Sequence, residues 1–249
     1  LVDSPTSKYR CLCPYMMIQT KDGKNCTDVD AVTLFWSRNA AHIYHGLLGS
    51  GAGAGAATTP TTPAFPSLSG RSLDDIRDVV TDGDAIYGLD GGRQHIYKVN
   101  VNDGGKESIV LAGDLETAAG LAIDTESGTI YIAMGTGNRI DAVTTEGLHR
   151  RRIVERAEGM KRPRHIVYMK ATGRLLWLDD TDKMFTCTGD GQSVKSIDVT
   201  GSFWSPAYDE KRNRVWWIKR EKSNSKDPAQ NAIGTTVIAY DEKTDKILD

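Results

Sequence analysis

Three of the four cysteines lie close together at the start of the chain, where their thiols could form disulfides or bind a metal ion. Cys11, Cys13 and Cys26 fall within the first 30 residues, and only Cys187 lies elsewhere. A zinc site needs a fourth ligand at suitable spacing, and no histidine lies near these cysteines. The segment also has too few apolar residues to form a core. Disulfides in an oxidising compartment are therefore the better interpretation.

Two further features bear on the chemistry of the cysteines. Asn25-Cys26-Thr27 is an N-glycosylation sequon, which predicts a glycan on Asn25 in a secreted protein. Cys187 lies in an apolar, strand-like stretch. We predict that it is a buried free thiol, and a disulfide with Cys11 is the alternative.

The remaining candidates for chemistry are an acidic cluster and scattered histidines. Asp179, Asp180 and Asp182 could bind calcium, although acids clustered in a loop are more often solvated. His42 and His45 are three residues apart in a strand-like segment, so their side chains point to opposite faces and make poor co-ligands. The sequence has no nucleophile elbow and no phosphate-binding loop. We predict that the protein is not an enzyme and needs no cofactor.

A degenerate repeat of about 44 residues organises the rest of the chain. Its first marker is an apolar strand, whose matching positions are 44, 45 and 40 residues apart: Tyr87, Tyr131, Leu176 and Trp216. Its second marker is a turn of an acid and a glycine, spaced by 43 and 44 residues: Asp103-Gly104, Glu146-Gly147 and Asp190-Gly191. Short strands that repeat with a period of about 40–50 residues predict the blades of a β-propeller.

Each repeat predicts four strands, which the second one shows most clearly. An apolar strand at 120–124 is followed by a strand with an aromatic residue, a third strand at 138–143 and a basic strand at 150–154. Before the repeats, 32–48 fits two strands joined by a turn, and 46–70 is a low-complexity stretch that we predict to be disordered. The best helix candidate is 72–80, which fits a loop leading into a strand equally well.

Composition limits the classes of partner. The 249 residues are 39% hydrophobic and 26% charged, which is ordinary for a globular protein. A net charge of −2 gives no electrostatic reason to expect nucleic acid or an anionic membrane as a partner. No apolar run approaches the roughly 20 residues that span a bilayer.

With these residues in view, the chain resembles the low-density-lipoprotein receptor family, in which an EGF-like module precedes a YWTD-type six-bladed propeller. The resemblance rests on the cysteine segment 9–26, the strand 34–38, the blade pattern of 120–154, and Pro163-Arg164-His165-Ile166, which is similar to the family's Pro-Arg-Ala-Ile entry into a blade. It covers nearly the whole chain outside 46–70.

The resemblance implies a partial EGF-like module over residues 1–30 and a YWTD-type propeller over 31–249, and thus an all-β fold. About four of the expected six blades are visible, so we expect the sequence to be a piece of a longer chain. In the family pattern Cys13 pairs with Cys26, and Cys11 pairs with a cysteine upstream of Leu1. The family binds ligands on one face of the disc, and the matching positions here are Arg38, Glu116, Asn138, Arg139, Asp180 and Trp204.

No blade keeps the complete YWTD tetrad. Asp90 and Asp179 keep its acid, whereas Met134 and Lys219 replace it. In the family this carboxylate ties neighbouring blades by hydrogen bonds. We therefore expect apolar packing to hold the other two blades.

The function that the resemblance implies is extracellular protein binding in a lipoprotein-receptor-like endocytic receptor, as part of the ectodomain of a single-pass cell-surface or endosomal membrane protein. Its partners would be extracellular proteins or lipoproteins and adjacent EGF-like and ligand-binding modules, with calcium possible in flanking modules and no nucleic acid. Because such receptors release cargo in acid, His165, next to the positive Arg164, is a candidate pH switch.

Three alternatives stay open. One is a signalling co-receptor or matrix protein with the same modules. Another is a calcium-dependent propeller hydrolase. The third is a rigid spacer between EGF-like modules.

Overall fold

The computed structural model describes four short strands before residue 49, and then residues 74–100, 107–181, 183–199, 202–221 and 234–248. Side chains are described within these later ranges except at 198, 202–205, 220–221 and 234–236. All regular secondary structure in the described part of the chain is β-strand. None of the described residues forms a helix that could cross a membrane.

The chain divides into two compact units, Leu1–Ser72 and Leu73–Asp249. The first unit contains β1 (Met17–Gln19) paired with β2 (Cys26–Asp28), and β3 (Val32–Arg38) paired with β4 (His42–Leu48). The β3–β4 hairpin confirms the two strands predicted over 32–48. The predicted boundary between residues 30 and 31 falls inside this unit and stays a prediction, and 46–70 lies almost wholly outside the described residues.

The second unit consists of four antiparallel sheets of four strands each, in chain order, which we call blades 1 to 4. Blade 1 is β5 (Ile76–Thr81), β6 (Ala85–Asp90), β7 (His95–Asn100) and β8 (Glu107–Ala112). Blade 2 is β9 (Ala118–Asp124), β10 (Thr129–Met134), β11 (Arg139–Thr144) and β12 (Arg151–Glu155). Blade 3 is β13 (Arg164–Met169), β14 (Arg174–Leu178), β15 (Lys183–Thr188) and β16 (Lys195–Asp198). Blade 4 is β17 (Ser202–Asp209), β18 (Arg214–Glu221), β19 (Gly234–Asp241) and β20 (Lys246–Leu248).

These strands occur where the repeat predicts them. The second strands β6, β10, β14 and β18 hold the apolar markers. Burial on both faces explains why β6, β10 and β14 are mostly apolar, whereas Ile218 of β18 is 42% exposed. The candidate helix over 72–80 is instead the approach to β5 and most of that strand. A strand forms because Val79 and Val80 pair with Gly88 and Tyr87 of β6, which supplies the ladder hydrogen bonds.

The blades pack face to face around their first strands. Each first strand contacts the next one along the chain, from β5 to β9, β13 and β17. A separate apolar cluster fills each of the three gaps between consecutive blades. Between blades 2 and 3, for example, Tyr131 of β10 stacks on Tyr168 of β13 with 5.5 Å between ring centroids. This apolar packing is what holds one sheet on the next.

The acid of the YWTD pattern joins the second strand of its blade to the segment that enters the blade. Asp179, just after β14, accepts hydrogen bonds from Lys161 N at 2.9 Å and Thr181 N at 2.8 Å. Asp90, at the end of β6, accepts one from Asp74 N at 3.0 Å. Because Lys161 lies in the connection from blade 2, the carboxylate of Asp179 fixes the path between two blades.

Met134 replaces this acid in blade 2 and lies in the apolar cluster between blades 1 and 2, where it is only 1% exposed. In blades 1 and 3 the residue after the acid donates a backbone hydrogen bond to the segment that enters the blade, as Gly91 N does to Asp75 O. Blade 2 has the same bond, since Gly135 N donates to Thr117 O at 2.7 Å. The expectation that apolar packing takes over is confirmed for this blade.

Cys187 lies in β15 opposite Leu175, the place that Val143 occupies in blade 2. Its side chain is fully buried and forms no disulfide, and burial raises the pKa of the thiol to about 12. The predicted buried free thiol is confirmed. The pairing of Cys13 with Cys26 concerns side chains outside the described residues.

Candidate functional site

Because neighbouring strands run in opposite directions, two kinds of connection lie at the same edge of every blade. These are the turns from second to third strand (91–94, 135–138 and 179–181) and the connections that enter the first strand (113–117 and 156–163). We call this edge the upper face. The turns from first to second strand lie at the opposite edge, the lower face. Glu116, Asn138, Arg139 and Asp180, which the family resemblance singled out, all lie on or directly next to the upper face.

Asn138 organises the junction between blades 2 and 3. Its side-chain oxygen Oδ1 accepts a hydrogen bond from Arg162 N at 2.8 Å, and its carbonyl oxygen accepts one from Arg156 N at 3.0 Å. Asn138, Arg156 and Arg162 all have positive φ angles, of 47°, 49° and 51°. The same conformation occurs at Gln94, which is the equivalent of Asn138 in blade 1, so it belongs to the turn geometry of the blades.

Asp180 lies between two arginines. Its carboxylate is 3.1 Å from Arg164 Nε and 3.7 Å from Arg162 Nη1. Its backbone N–H donates to Lys161 O at 3.1 Å, so the aspartate is fixed on the blade while its side chain stays 36% exposed. An exposed carboxylate flanked by arginines can exchange partners with a ligand at little cost.

His165 follows these arginines and lies at a bulge in the pairing of β13 with β14. Burial lowers the pKa of its imidazole, the positive charge of Arg164 lowers it further, and Asp180 opposes both effects. The direction agrees with the hypothesis from the sequence, in which Arg164 favours the neutral imidazole. A role in ligand release stays a prediction.

Arg139 is part of a mostly buried charge network at the upper end of blade 2. Its guanidinium lies 3.0 Å from Asp141 and 2.7 Å from Asp114, and its side chain is 12% exposed. Burial acts to lower the pKa of Arg139, but the hydrogen bonds and charges of Asp141 and Asp114 raise it overall. Arg150 also binds Asp141, at 2.8 Å. Arg139 therefore mainly positions the exposed Asp114.

Glu116 has an exposed side chain, and its backbone is fixed by Arg77. Arg77 Nη1 donates to the carbonyl oxygens of Glu116 at 2.6 Å and Ala118 at 2.8 Å, and Nε lies 2.7 Å from Asp75. The arginine thus connects the entries of blades 1 and 2, and Glu116 is presented to solvent from a fixed loop.

The first strands line an open cavity of about 390 Å³. Asp78 lines it from β5 and accepts hydrogen bonds from Leu121 N of blade 2 and Val79 N, each at 2.8 Å. Burial raises the pKa of Asp78 to about 6, although these two hydrogen bonds act to lower it. The carboxylate of Asp78 therefore joins blades 1 and 2 by a hydrogen bond. Its burial makes the ionised form costly.

The other residues of the predicted site lie outside what the structure describes of side chains. Arg38 ends β3 and Trp204 lies in β17, and both are described as backbone only. Cys26 begins β2, and Cys13 and Asn25 are outside the described residues. The binding, disulfide and glycosylation assignments therefore stay predictions.

The calcium alternative rests on Asp179, Asp180 and Asp182. The carboxylate of Asp179 is committed to backbone and hydroxyl donors, Asp180 is paired with arginines, and Asp182 is not described. Among the described residues, no group of three or more His, Cys, Asp or Glu side chains is arranged to hold a metal ion.

Sequence reasoning missed Arg77, Asp114 and Arg162 as members of the upper face. Each acts with a partner far along the chain, such as Asn138 with Arg162, which are 24 residues apart. The one signal in the sequence was Pro163-Arg164-His165-Ile166, which marks the entry to blade 3 but does not reveal that Arg164 pairs with Asp180.

No family model and no curated protein sequence matches this chain. Among solved structures, it is similar to a chain of a nidogen/laminin complex, with 22% identity and a TM-score of 0.55 over 71% of this chain and 80% of that chain. It is similar to a hydrazine synthase chain of Kuenenia stuttgartiensis, with 16% identity and a TM-score of 0.55 over 70% and 53% of the two chains. It is also similar to a protein of unknown function from Bacteroides thetaiotaomicron, with 11% identity and a TM-score of 0.51 over 69% and 42%.

The fold is that of a YWTD-type β-propeller. The all-β propeller class predicted from the 44-residue repeat is thereby confirmed for blades 1 to 4. At these identities the similarity concerns the fold alone, and the EGF-like module and membership of the lipoprotein receptor family stay predictions.

Proposed function

We propose that this chain is an extracellular propeller that binds proteins through its upper face, within a lipoprotein-receptor-like endocytic receptor. The observation that carries the proposal is the set of fixed, partly exposed polar side chains at the junction of blades 2 and 3. Asp180 and Arg162 keep exposed charged groups while their backbones are held by Lys161 and Asn138. Preordered groups of this kind lose little entropy on binding.

The nidogen structure supports the proposal by analogy, since it was solved as a complex with laminin. A signalling co-receptor or a matrix protein would use the same face, so the binding screen described below tests protein binding and not the class of receptor. Secretion of the full-length protein and uptake of a labelled ligand by cells that display it would test the extracellular and endocytic parts.

The experiment is a binding screen of the purified chain against secreted and cell-surface proteins and lipoproteins, with each hit confirmed as a purified pair. We expect Asp180→Asn and Arg162→Gln each to weaken a confirmed pair about tenfold or more, since a hydrogen bond to a charged group contributes about 1.5–3 kcal/mol and about 1.4 kcal/mol is a factor of ten. The matched control is Arg212→Gln on the lower face, whose arginine pairs with Asp209 at 2.8 Å. Equal affinity in all variants would place the binding surface elsewhere and refute the proposal.

A further inference from the structure

The connection from β12 to β13 is the most basic part of the upper face. Residues 156–164, which we call the basic loop, contain four basic side chains and a single acid, Glu158. The side chains of Arg156, Lys161 and Arg162 are exposed, and that of Arg164 is partly exposed. A local excess of positive charge is notable in a chain whose net charge is −2.

The backbone of the basic loop is held at several points. Asn138 binds Arg156 N and Arg162 N, and Asp179 binds Lys161 N at 2.9 Å. Met160 is 4% exposed and packs in the apolar cluster between blades 2 and 3. The loop therefore presents its cations from a fixed backbone, without a large ordering cost on binding.

Among the described residues, Arg164 is the one cation of the basic loop in a close ion pair, 3.1 Å from Asp180. Within the described residues, Arg156 and Lys161 have no carboxylate within 4.0 Å, and Arg162 approaches Asp180 only at 3.7 Å with 65% of its side chain exposed.

The loop offers charge without an apolar anchor. Its large apolar residues, Met160 and Pro163, are both buried. The loop therefore adds only charge to any interface on this face, and it offers no side chain that inserts into a membrane surface. Charge alone is enough to bind a hydrophilic polyanion, and guanidinium groups bind sulfate-like oxyanions with two parallel hydrogen bonds.

We propose that the basic loop of blades 2 and 3 binds a sulfated polysaccharide. This ligand lies beyond the protein partner proposed above, and its physiological relevance rests on the proposed extracellular location. The interaction is dominated by exposed charges, so salt screens it strongly.

Heparin serves as the probe. We expect the purified chain to be retained on immobilised heparin at about 0.15 M NaCl, the physiological ionic strength. The variant with Arg156→Gln, Lys161→Gln and Arg162→Gln should elute below that concentration. The matched control, with Lys211→Gln, Lys243→Gln and Lys246→Gln, removes the same charge from exposed positions of blade 4 and should elute with the wild type. Thermal unfolding of each variant verifies that it is folded.

Lys161→Glu alone is the variant to use if the triple change does not fold, because the fold uses only the backbone of Lys161 in the bonds described above. Asp180→Asn provides the opposite test. It removes the carboxylate next to Arg162 and Arg164, so heparin retention should increase, whereas the protein binding proposed above should weaken. The two proposals can therefore fail separately.

Four results would overturn the inference. The first is elution of the wild type below physiological ionic strength, and the second is equal loss of retention in the loop variant and the blade 4 control. The third is equal binding of fully desulfated heparin, and the fourth is tighter binding to phosphatidylserine–phosphatidylcholine vesicles than to heparin. Either of the last two would indicate a ligand other than a sulfated polysaccharide.

Discussion

Gly147 and Gly191, the glycines of two acid–glycine turns, lie against the outer strand of the preceding blade. A Cβ built on Gly191 would overlap the carbonyl oxygen of Ile153 in β12, and one on Gly147 would overlap that of Val110 in β8. Gly191 also has a φ of +87°. Substitution to alanine should therefore cost stability in two separate ways, one from backbone conformation and one from the contact between blades.

Gly113 separates these two costs. Its φ is +81°, close to that of Gly191, but a Cβ there would meet nothing within 4 Å. Gly113→Ala should cost only the conformational part, about 1–2 kcal/mol. Gly191→Ala adds a displacement of the turn by about 1.5 Å to restore ordinary contact with Ile153 O, for which overpacking studies give about 1–3 kcal/mol more.

The measurement is chemical denaturation of both variants, with thermal unfolding as a second method. We expect the free energy of unfolding to be lower in Gly191→Ala than in Gly113→Ala by about 1–3 kcal/mol. In a protein of this size the difference corresponds to several degrees in Tm, at about 2–4 °C per kcal/mol. Agreement of the two free energies of unfolding within about 0.5 kcal/mol, which is close to the limit of additivity for such data, would contradict this reasoning. In that case the contact between blades does not explain the regular spacing of these turns along the chain.

Two further predictions concern buried carboxylates. Because the pKa of Asp78 is raised from 3.8 to about 6, its contribution to stability falls as pH rises from about 4 to 6, by up to about 3 kcal/mol. Asp78→Asn should remove this loss, so in urea titrations the stability of the variant relative to the wild type should be higher at pH 7 than at pH 4. The same difference between variant and wild type at both pH values would contradict the prediction. Asp179→Ala leaves the N–H groups of Lys161 and Thr181 without their acceptor, so it should lower the free energy of unfolding by about 2–4 kcal/mol in the same assay. A change below about 0.5 kcal/mol, which is typical of surface substitutions, would show that water replaces the carboxylate.

Local patterns in the sequence predicted much of the fold. Each second strand is short, apolar and bounded by turns, so Tyr87, Tyr131, Leu176 and Trp216 were enough to locate blades 1 to 4. The stretch at 72–80 was ambiguous because its apolar spacing fits either periodicity over so few residues. Its pairing with β6, a tertiary contact, decided for a strand.

The upper face shows the limit of this reasoning. Positions such as Asn138 and Asp180 were identified by family resemblance, but their roles depend on Arg162 and Arg164, which enter from another part of the chain. Likewise, Arg139 looked like an exposed interface residue, and the structure places it in a mostly buried network with Asp141. A side chain's partners are set by the packing of blades, which no local pattern encodes.

The sequence alone determined the number of visible blades and the order of strands within them, because the alternation of apolar strands and glycine turns is a local property of each repeat. Only the tertiary structure decided which charges are exposed and which are paired. Lys161 meets Asp179 and Arg162 meets Asn138 because successive blades bring separate segments to one edge. The physical reason is that hydrogen bonds and ion pairs act over a few ångströms in space, whatever the separation along the chain.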